Sequence, residues 1–258
     1  MIFFLAGTSD ARSLAIHLKE KEYTLLTTVV TENASLSLKE AGLPVHVGRL
    51  TAEEMAEKIK NNDYKMIVDA SHPYAEEASK NAMEAARIAN VLYVRYEREQ
   101  VDAFSNHPLV TMVDTYEEAA MLAAKRKGVV MLTTGSKTLQ VFAKHCVGVE
   151  GLRLIARMLP RKDNLEKCES LGIEQKNIVA IQGPFIKEFN TALYKQYDVT
   201  LMVTKESGKV GSVDEKLEAA LELNIPTIMI RRPKIKYTNV FHSFEPLLEF
   251  VDERMKGE

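Results

Sequence analysis

The chain has 258 residues, 46% of them hydrophobic, with 34 Lys and Arg against 36 Asp and Glu. That length makes one large domain or two of about 100–150 residues, and the near-balanced charge excludes a nucleic-acid or polyanion binder acting through its overall field. Two cysteines, Cys146 and Cys168, with no CxxC, exclude a disulfide framework and a structural zinc site and suit a reducing compartment.

The first apolar run, in MIFFLAGTSDAR, is too short for a signal peptide and reads as a strand over 2–5. Residues 10–21 follow as a helix with Ala11, Leu14, Ala15 and Leu18 on one face. A strand at 25–30 leads to a short helix at 35–41 closed by Gly42, and a strand at 45–47 to a helix over 52–60 with Thr51 as its N-cap. A strand at 66–69, a helix at 73–89 and a strand at 92–95 complete the first half. Residues 96–108, YEREQVDAFSNHP, are polar and irregular and mark a linker or crossover. Strands then recur at 110–113, 129–132, 153–156, 178–180, 199–203 and 227–230. Helices fall between them at 117–125, 139–144, 163–171, 187–196 and 213–223, and a last helix at 245–255 is free to pack on either half. No window approaches the roughly 20 apolar residues of a membrane span.

Continuous apolar strands separated by helices imply parallel sheets covered on both faces. The expected fold is α/β: two Rossmann-like parallel-sheet domains, 1–104 and 105–258, with an interdomain cleft. The expected setting is the cytoplasm, with no nucleic-acid, membrane or metal partner, as a monomer or weak homo-oligomer.

Ligands of open parallel sheets lie beyond the carboxyl ends of the strands, where strand order reverses, so the loops after strands carry the functional reading. In AGTSDAR, residues 6–12, Gly7 lets backbone approach a ligand, while Asp10 opposes a phosphate. Thr8 and Ser9 then suit ribose hydroxyls and Arg12 a carboxylate, against the plainer reading of Ser9 as a helix cap and Arg12 as a solvated charge. TTGSKTL, residues 133–139, replaces the acid with Lys137 and suits a pyrophosphate held by Gly135, Ser136 and Thr138, or is a polar helix start. TKESGKVGSVDEK, residues 204–216, adds Lys205, Ser207 and Gly208, or is a surface loop. In DASHPYA, residues 69–75, Pro73 fits the first helical turn with Ser71 or His72 as its cap. An imidazole there is also placed to give a proton or bind an acidic ligand. Arg95, Tyr96 and Arg98 of YVRYER, with Arg231 and Arg232 of IRRP, are singly surface charges, and together a polycarboxylate site if they converge.

As a set in chain order, GTSDAR, DASHPYA, YVRYER, TTGSKTL, KESG and RRP resemble the precorrin-6A reductase family of cobalamin biosynthesis, from the first strand to about Pro233. The resemblance implies an NAD(P)H-dependent oxidoreductase that reduces a double bond in the macrocycle of precorrin-6A or its cobalt form. It places the phosphates of NADPH or NADH on Gly135, Ser136, Lys137 and Thr138, with help from Lys205, Ser207 and Gly208. Gly7, Thr8 and Ser9 then face the middle or the nicotinamide end of the cofactor. The tetrapyrrole is implied beside Ser71, Tyr74 and Tyr96, with its carboxylate arms on Arg12, Arg95 and Arg98. His72 is the implied proton donor, with water or a substrate carboxyl as equal alternatives. Glu32, after the second strand, favours NADH if the first half holds the adenosine, whereas the phosphate assignment puts the adenosine near the second half; the two arguments leave the choice open. The alternatives are a two-domain reductase of a small acid, a non-catalytic nucleotide or tetrapyrrole sensor, and a purely structural domain.

Overall fold

The computed structural model describes residues 1–98, 104, 106–206 and 214–256. The chain divides into two units, Met1–Glu99 with Pro233–Glu258, and Gln100–Arg232. The first unit begins with β1 (Ile2–Ala6), α1 (Ser9–Glu20), β2 (Leu25–Val29), α2 (Glu32–Glu40), β3 (Val45–Val47), α3 (Ala52–Asn61), β4 (Met66–Ala70), α4 (Glu76–Ala89) and β5 (Leu92–Tyr96). Late in the chain it gains β12 (Val240–Phe241) and α10 (Phe244–Lys256). The sheet runs β12-β5-β4-β1-β2-β3, with every pair parallel.

The apolar strands have this character because both sheet faces are buried. Alternate residues of β1 serve opposite layers: Ile2 and Phe4 pack with Leu14 and Leu18 of α1, while Phe3 and Leu5 pack with Met55 and Ile59 of α3. Thr8, Thr31 and Thr51 cap the first three helices, and Thr51 with Glu54 forms a full capping box.

The second unit contains β6 (Val110–Val113), α5 (Tyr116–Arg126), β7 (Gly128–Leu132), α6 (Leu139–Cys146), β8 (Leu152–Met158) and α7 (Lys162–Ser170). It continues with a short 3-10 turn (Gln175–Asn177), β9 (Ile178–Ala180), α8 (Lys187–Gln196), β10 (Leu201–Lys205), α9 (Glu215–Glu222) and β11 (Thr227–Ile230). Its sheet runs β6-β11-β10-β7-β8-β9, again parallel throughout.

Each sheet therefore has the six-strand order of a doubly wound fold, with order reversing between β1 and β4 in one and between β7 and β10 in the other. The sixth positions are filled out of turn. β6, which follows β5 in the chain, joins the second sheet, and β12, which follows β11, joins the first. The expected division at 104/105 thus gives way to a segment that returns after Arg232. The last helix belongs to the first unit because Leu247, Leu248 and Val251 enter the same core as Ile2 and Phe4, and Asp252 accepts hydrogen bonds from Tyr23 and Lys21. Among the described residues no helix is long and apolar enough to cross a membrane.

Candidate functional site

The reversal point of the first sheet is built from two loops in contact. A Cβ on Gly7 would lie 2.8 Å from the backbone nitrogen of His72 and 3.2 Å from Cα of Ser71, so only glycine lets the loop after β1 approach the loop after β4 this closely. Thr8, not Ser9, caps α1, accepting from the Ala11 N–H at 3.1 Å. Ser9 lies exposed in the first helical turn.

Behind these loops lies a buried polar network. Register sets Asp69 of β4 opposite Arg95 of β5, and both side chains have no exposed surface. Asp69 Oδ1 accepts from the Ser71 N–H at 3.0 Å and from Arg95 Nη1 at 2.9 Å, and Oδ2 from the Tyr93 hydroxyl at 2.7 Å. Arg95 Nη1 also donates to Ser71 Oγ at 3.2 Å, its Nε and Nη2 donate to Glu97 at 3.1 Å, and its guanidinium lies 5.1 Å from the Tyr237 ring centre. Burial works to lower the pKa of Arg95, but Asp69, Tyr237 and Glu97 outweigh it and raise it. The Tyr93 hydroxyl is pushed far up by burial and by Asp69.

Several sequence expectations change here. Arg95 does not offer its guanidinium to a substrate carboxylate, because the network uses it and solvent does not reach it. Tyr96 is a core residue packed at a tilt against Phe244, with ring centres 5.1 Å apart, and burial raises its pKa. Arg98 is half-buried and paired with Asp10 at the start of α1. α4 begins at Glu76 with Ala75 as N-cap and no side-chain cap, so neither Ser71 nor His72 caps it. Glu32 is exposed and accepts from Ser35 and Lys39.

At this reversal point Ser71 is buried, Tyr74 half-buried and His72 exposed. His72 Nδ1 accepts from the Tyr74 N–H at 3.2 Å, which puts the ring proton of the neutral form on Nε2. The two rings lie 5.8 Å apart. Arg12 is exposed on α1.

The reversal point of the second sheet is the loop after β7. Thr133 extends the β7/β10 ladder, its N–H and hydroxyl both reaching the Val203 carbonyl. Beyond it, the hydroxyls of Thr134 and Thr138 are buried with no hydrogen-bond partner among the described residues. Leaving a buried hydroxyl unsatisfied costs about 1–3 kcal/mol, so two in one loop point to an absent acceptor. Gly135 has φ +79°, the left-handed region, and nothing stands within 4 Å of where a Cβ would be. Lys137 is exposed. Lys205, half-buried at the end of β10, has its pKa lowered by burial and then by Lys137 and Lys216, and its Nζ lies 5.9 Å from the Tyr116 ring centre. Ser207 and Gly208 lie outside the described residues.

Two features of the second unit escaped the sequence reading. Lys167 of α7 donates to the carbonyls of Ser136 and Lys137 at 2.7 and 3.3 Å, fastening this loop from a residue thirty positions away. Arg157, at the carboxyl end of β8, is buried, bonded to Asn190 Oδ1 at 2.7 Å and 4.8 Å from the Phe185 ring centre; burial lowers its pKa. An arginine closing an apolar strand was the available signal for the second; nothing local marked the first. Arg231 pairs with Asp114 at 3.2 Å, and the backbone N–H of the buried Arg232 donates to Glu206 at 3.2 Å.

Comparison with known proteins agrees with this architecture. The family described as Precorrin-6x reductase CbiJ/CobK matches residues 1–252. The chain is 59% identical to a cobalt-precorrin-6A reductase of Priestia megaterium over 249 residues, 96% of each chain. It is 34% identical to a cobalt-precorrin-6A reductase of Methanothermobacter thermautotrophicus, covering 97% of this chain and 83% of that one. A solved structure titled CobK precorrin-6A reductase superposes with a TM-score of 0.79 over 98% of this chain and 96% of that one; at 21% identity it shows the same fold.

Proposed function

The chain belongs to the precorrin-6x reductase family, and on that premise we propose that it reduces one double bond of the cobalt-precorrin-6A macrocycle with a reduced nicotinamide dinucleotide, in corrin-ring biosynthesis. The observation that carries the reading is the 59% identity over 96% of both chains to a cobalt-precorrin-6A reductase. The reaction adds a hydride and a proton across the carbon–carbon double bond and leaves the oxidised dinucleotide.

The β7–α6 loop fits the phosphates of such a cofactor: Gly135 leaves its backbone approachable, and Thr134 and Thr138 hold hydroxyls in search of an acceptor. The dinucleotide, when bound, supplies the hydride. Lys137 and Lys205 supply positive charge, and Lys167 holds the loop by its carbonyls. In the first unit, Ser71, His72 and Tyr74 receive the macrocycle, with Arg12, exposed on the helix that follows the Gly7 loop, for a carboxylate arm. His72 acts as the imidazolium, gives one ring proton to the macrocycle and is left as the neutral imidazole, the form whose Nδ1 accepts from the Tyr74 N–H. His72→Ala lowers kcat on the order of 10²-fold; full turnover at saturating substrate removes that assignment. Both thiols are free and buried, which supports a reducing, cytoplasmic setting.

The test is an anaerobic mixture of the purified protein with cobalt-precorrin-6A or precorrin-6A and either NADH or NADPH. Loss of reduced-nicotinamide absorbance with a matching shift in the macrocycle spectrum is expected for at least one pairing. Binding without oxidation in all four mixtures overturns the enzyme reading in favour of a sensor.

A further inference from the structure

Arg95 turns inward, and what it holds is the turn after β4, at the reversal point of the first sheet. Asp69 and Arg95 are cross-strand neighbours with no exposed surface. A buried ion pair contributes little stability beyond what apolar side chains of the same volume supply, so stability alone does not explain charges in this layer. One thing an apolar pair does not do is accept a backbone N–H. Asp69 Oδ1 accepts from Ser71 N–H, Arg95 Nη1 donates to Ser71 Oγ, and Ser71 Oγ lies 3.4 Å from Ser79 Oγ of α4. The remaining oxygen of Asp69 is fixed by Tyr93, and the remaining edge of Arg95 by Glu97. Both the main chain and the side chain of Ser71 are therefore referred to one rigid pair. Ser71 and His72 are also the backbone against which Gly7 packs.

We propose that Asp69 and Arg95 are a positioning pair for the reduction. They hold the Ser71–His72 turn against Gly7 so that the proton donor and the macrocycle meet at reactive distance. Neither touches a reactant. The proposal rests on the functional reading above, and it accounts for two buried charges where the fold needs none.

The test compares Arg95→Met with the double variant Asp69→Leu/Arg95→Met, using urea unfolding, single-turnover reduction at saturating reactants, and amide exchange of residues 70–75. Arg95→Met strands a buried carboxylate and lowers the urea midpoint strongly. The double variant recovers part of the lost midpoint, since neither charge of the pair remains although Glu97 loses its bonds to Arg95. Its turnover nevertheless stays down on the order of 10²-fold, the penalty for misplaced reactive groups, with the dinucleotide KM changed by less than about twofold. Its Ser71 amide, without an acceptor, exchanges at least about tenfold faster. A double variant with wild-type turnover and wild-type exchange overturns the proposal, as does one whose turnover merely follows its stability. Because exchange needs no substrate, slackening of the turn is scored even if wild-type protein reduces no macrocycle, an outcome that defeats the functional reading separately.

Discussion

Thr134 and Thr138 set the account's sharpest expectation for single side chains. Their hydroxyls are buried and lack partners among the described residues, so replacing each by valine removes an unsatisfied group rather than a bond. Thr134→Val and Thr138→Val should leave stability unchanged or raise it by about 1 kcal/mol, while each raises the dinucleotide KM about five- to tenfold, the loss of one hydrogen bond. Lower stability with an unchanged KM contradicts a ligand role for the loop. At this scale the sequence was a partial guide. TTGSKTL singled out the β7–α6 loop, because a glycine and hydroxyls after an apolar run are a local signature. YVRYER misled, because burial is a tertiary property: the same letters describe a surface arginine and one sealed between Asp69 and Glu97. Lys167 was illegible, since its function is to touch carbonyls thirty residues away.

The strands and helices were the most legible part, as their periodicity is local. All eleven expected strands and all ten expected helices occur, with shifts of a few residues at their ends; α4, for example, starts at Glu76 because Pro73 and Tyr74 belong to a turn. What escaped is β12, two residues long with no apolar run to announce it. Its partner element, α10, gives the prediction at this scale. Leu247 is fully buried in the core formed by β1, β4 and α1. Leu247→Ala should lower unfolding stability by about 2–5 kcal/mol, read from the urea midpoint. A change below about 0.5 kcal/mol, the range of a surface substitution, contradicts the docking of this helix.

Over the whole molecule, each sheet completes the doubly wound order with a strand that arrives out of sequence. Periodicity alone cannot reveal this, because strand order depends on which edges pair and not on the composition of any strand. The cores of both units also share a titration behaviour. Burial lifts the Cys146 thiol to about 11 and the Tyr116 hydroxyl to about 12. Tyr23 rises to about 12 through burial and its bond to Asp252. In the unfolded chain these groups lose their protons near about 8.5 for cysteine and 10 for tyrosine. The folded state therefore holds the protons more tightly, and its advantage is complete below those values and lost as pH climbs through 11 to 12. Lys205 acts in the opposite sense, since burial disfavours its charge, but the buried tyrosines outnumber it. The urea midpoint should fall steadily above about pH 8.5; a level midpoint from there up to pH 11 contradicts the burial of these groups.

Reduction of a macrocycle by a hydride from a dinucleotide is the claim on which the rest depends, and isotope transfer tests it most directly. Cobalt-precorrin-6A is incubated without oxygen with the protein and a reduced nicotinamide dinucleotide carrying deuterium at both C4 positions, and the macrocycle is weighed by mass spectrometry. The expected product has gained one deuterium and one solvent hydrogen. A macrocycle of unchanged mass, or one reduced without the label, contradicts that claim.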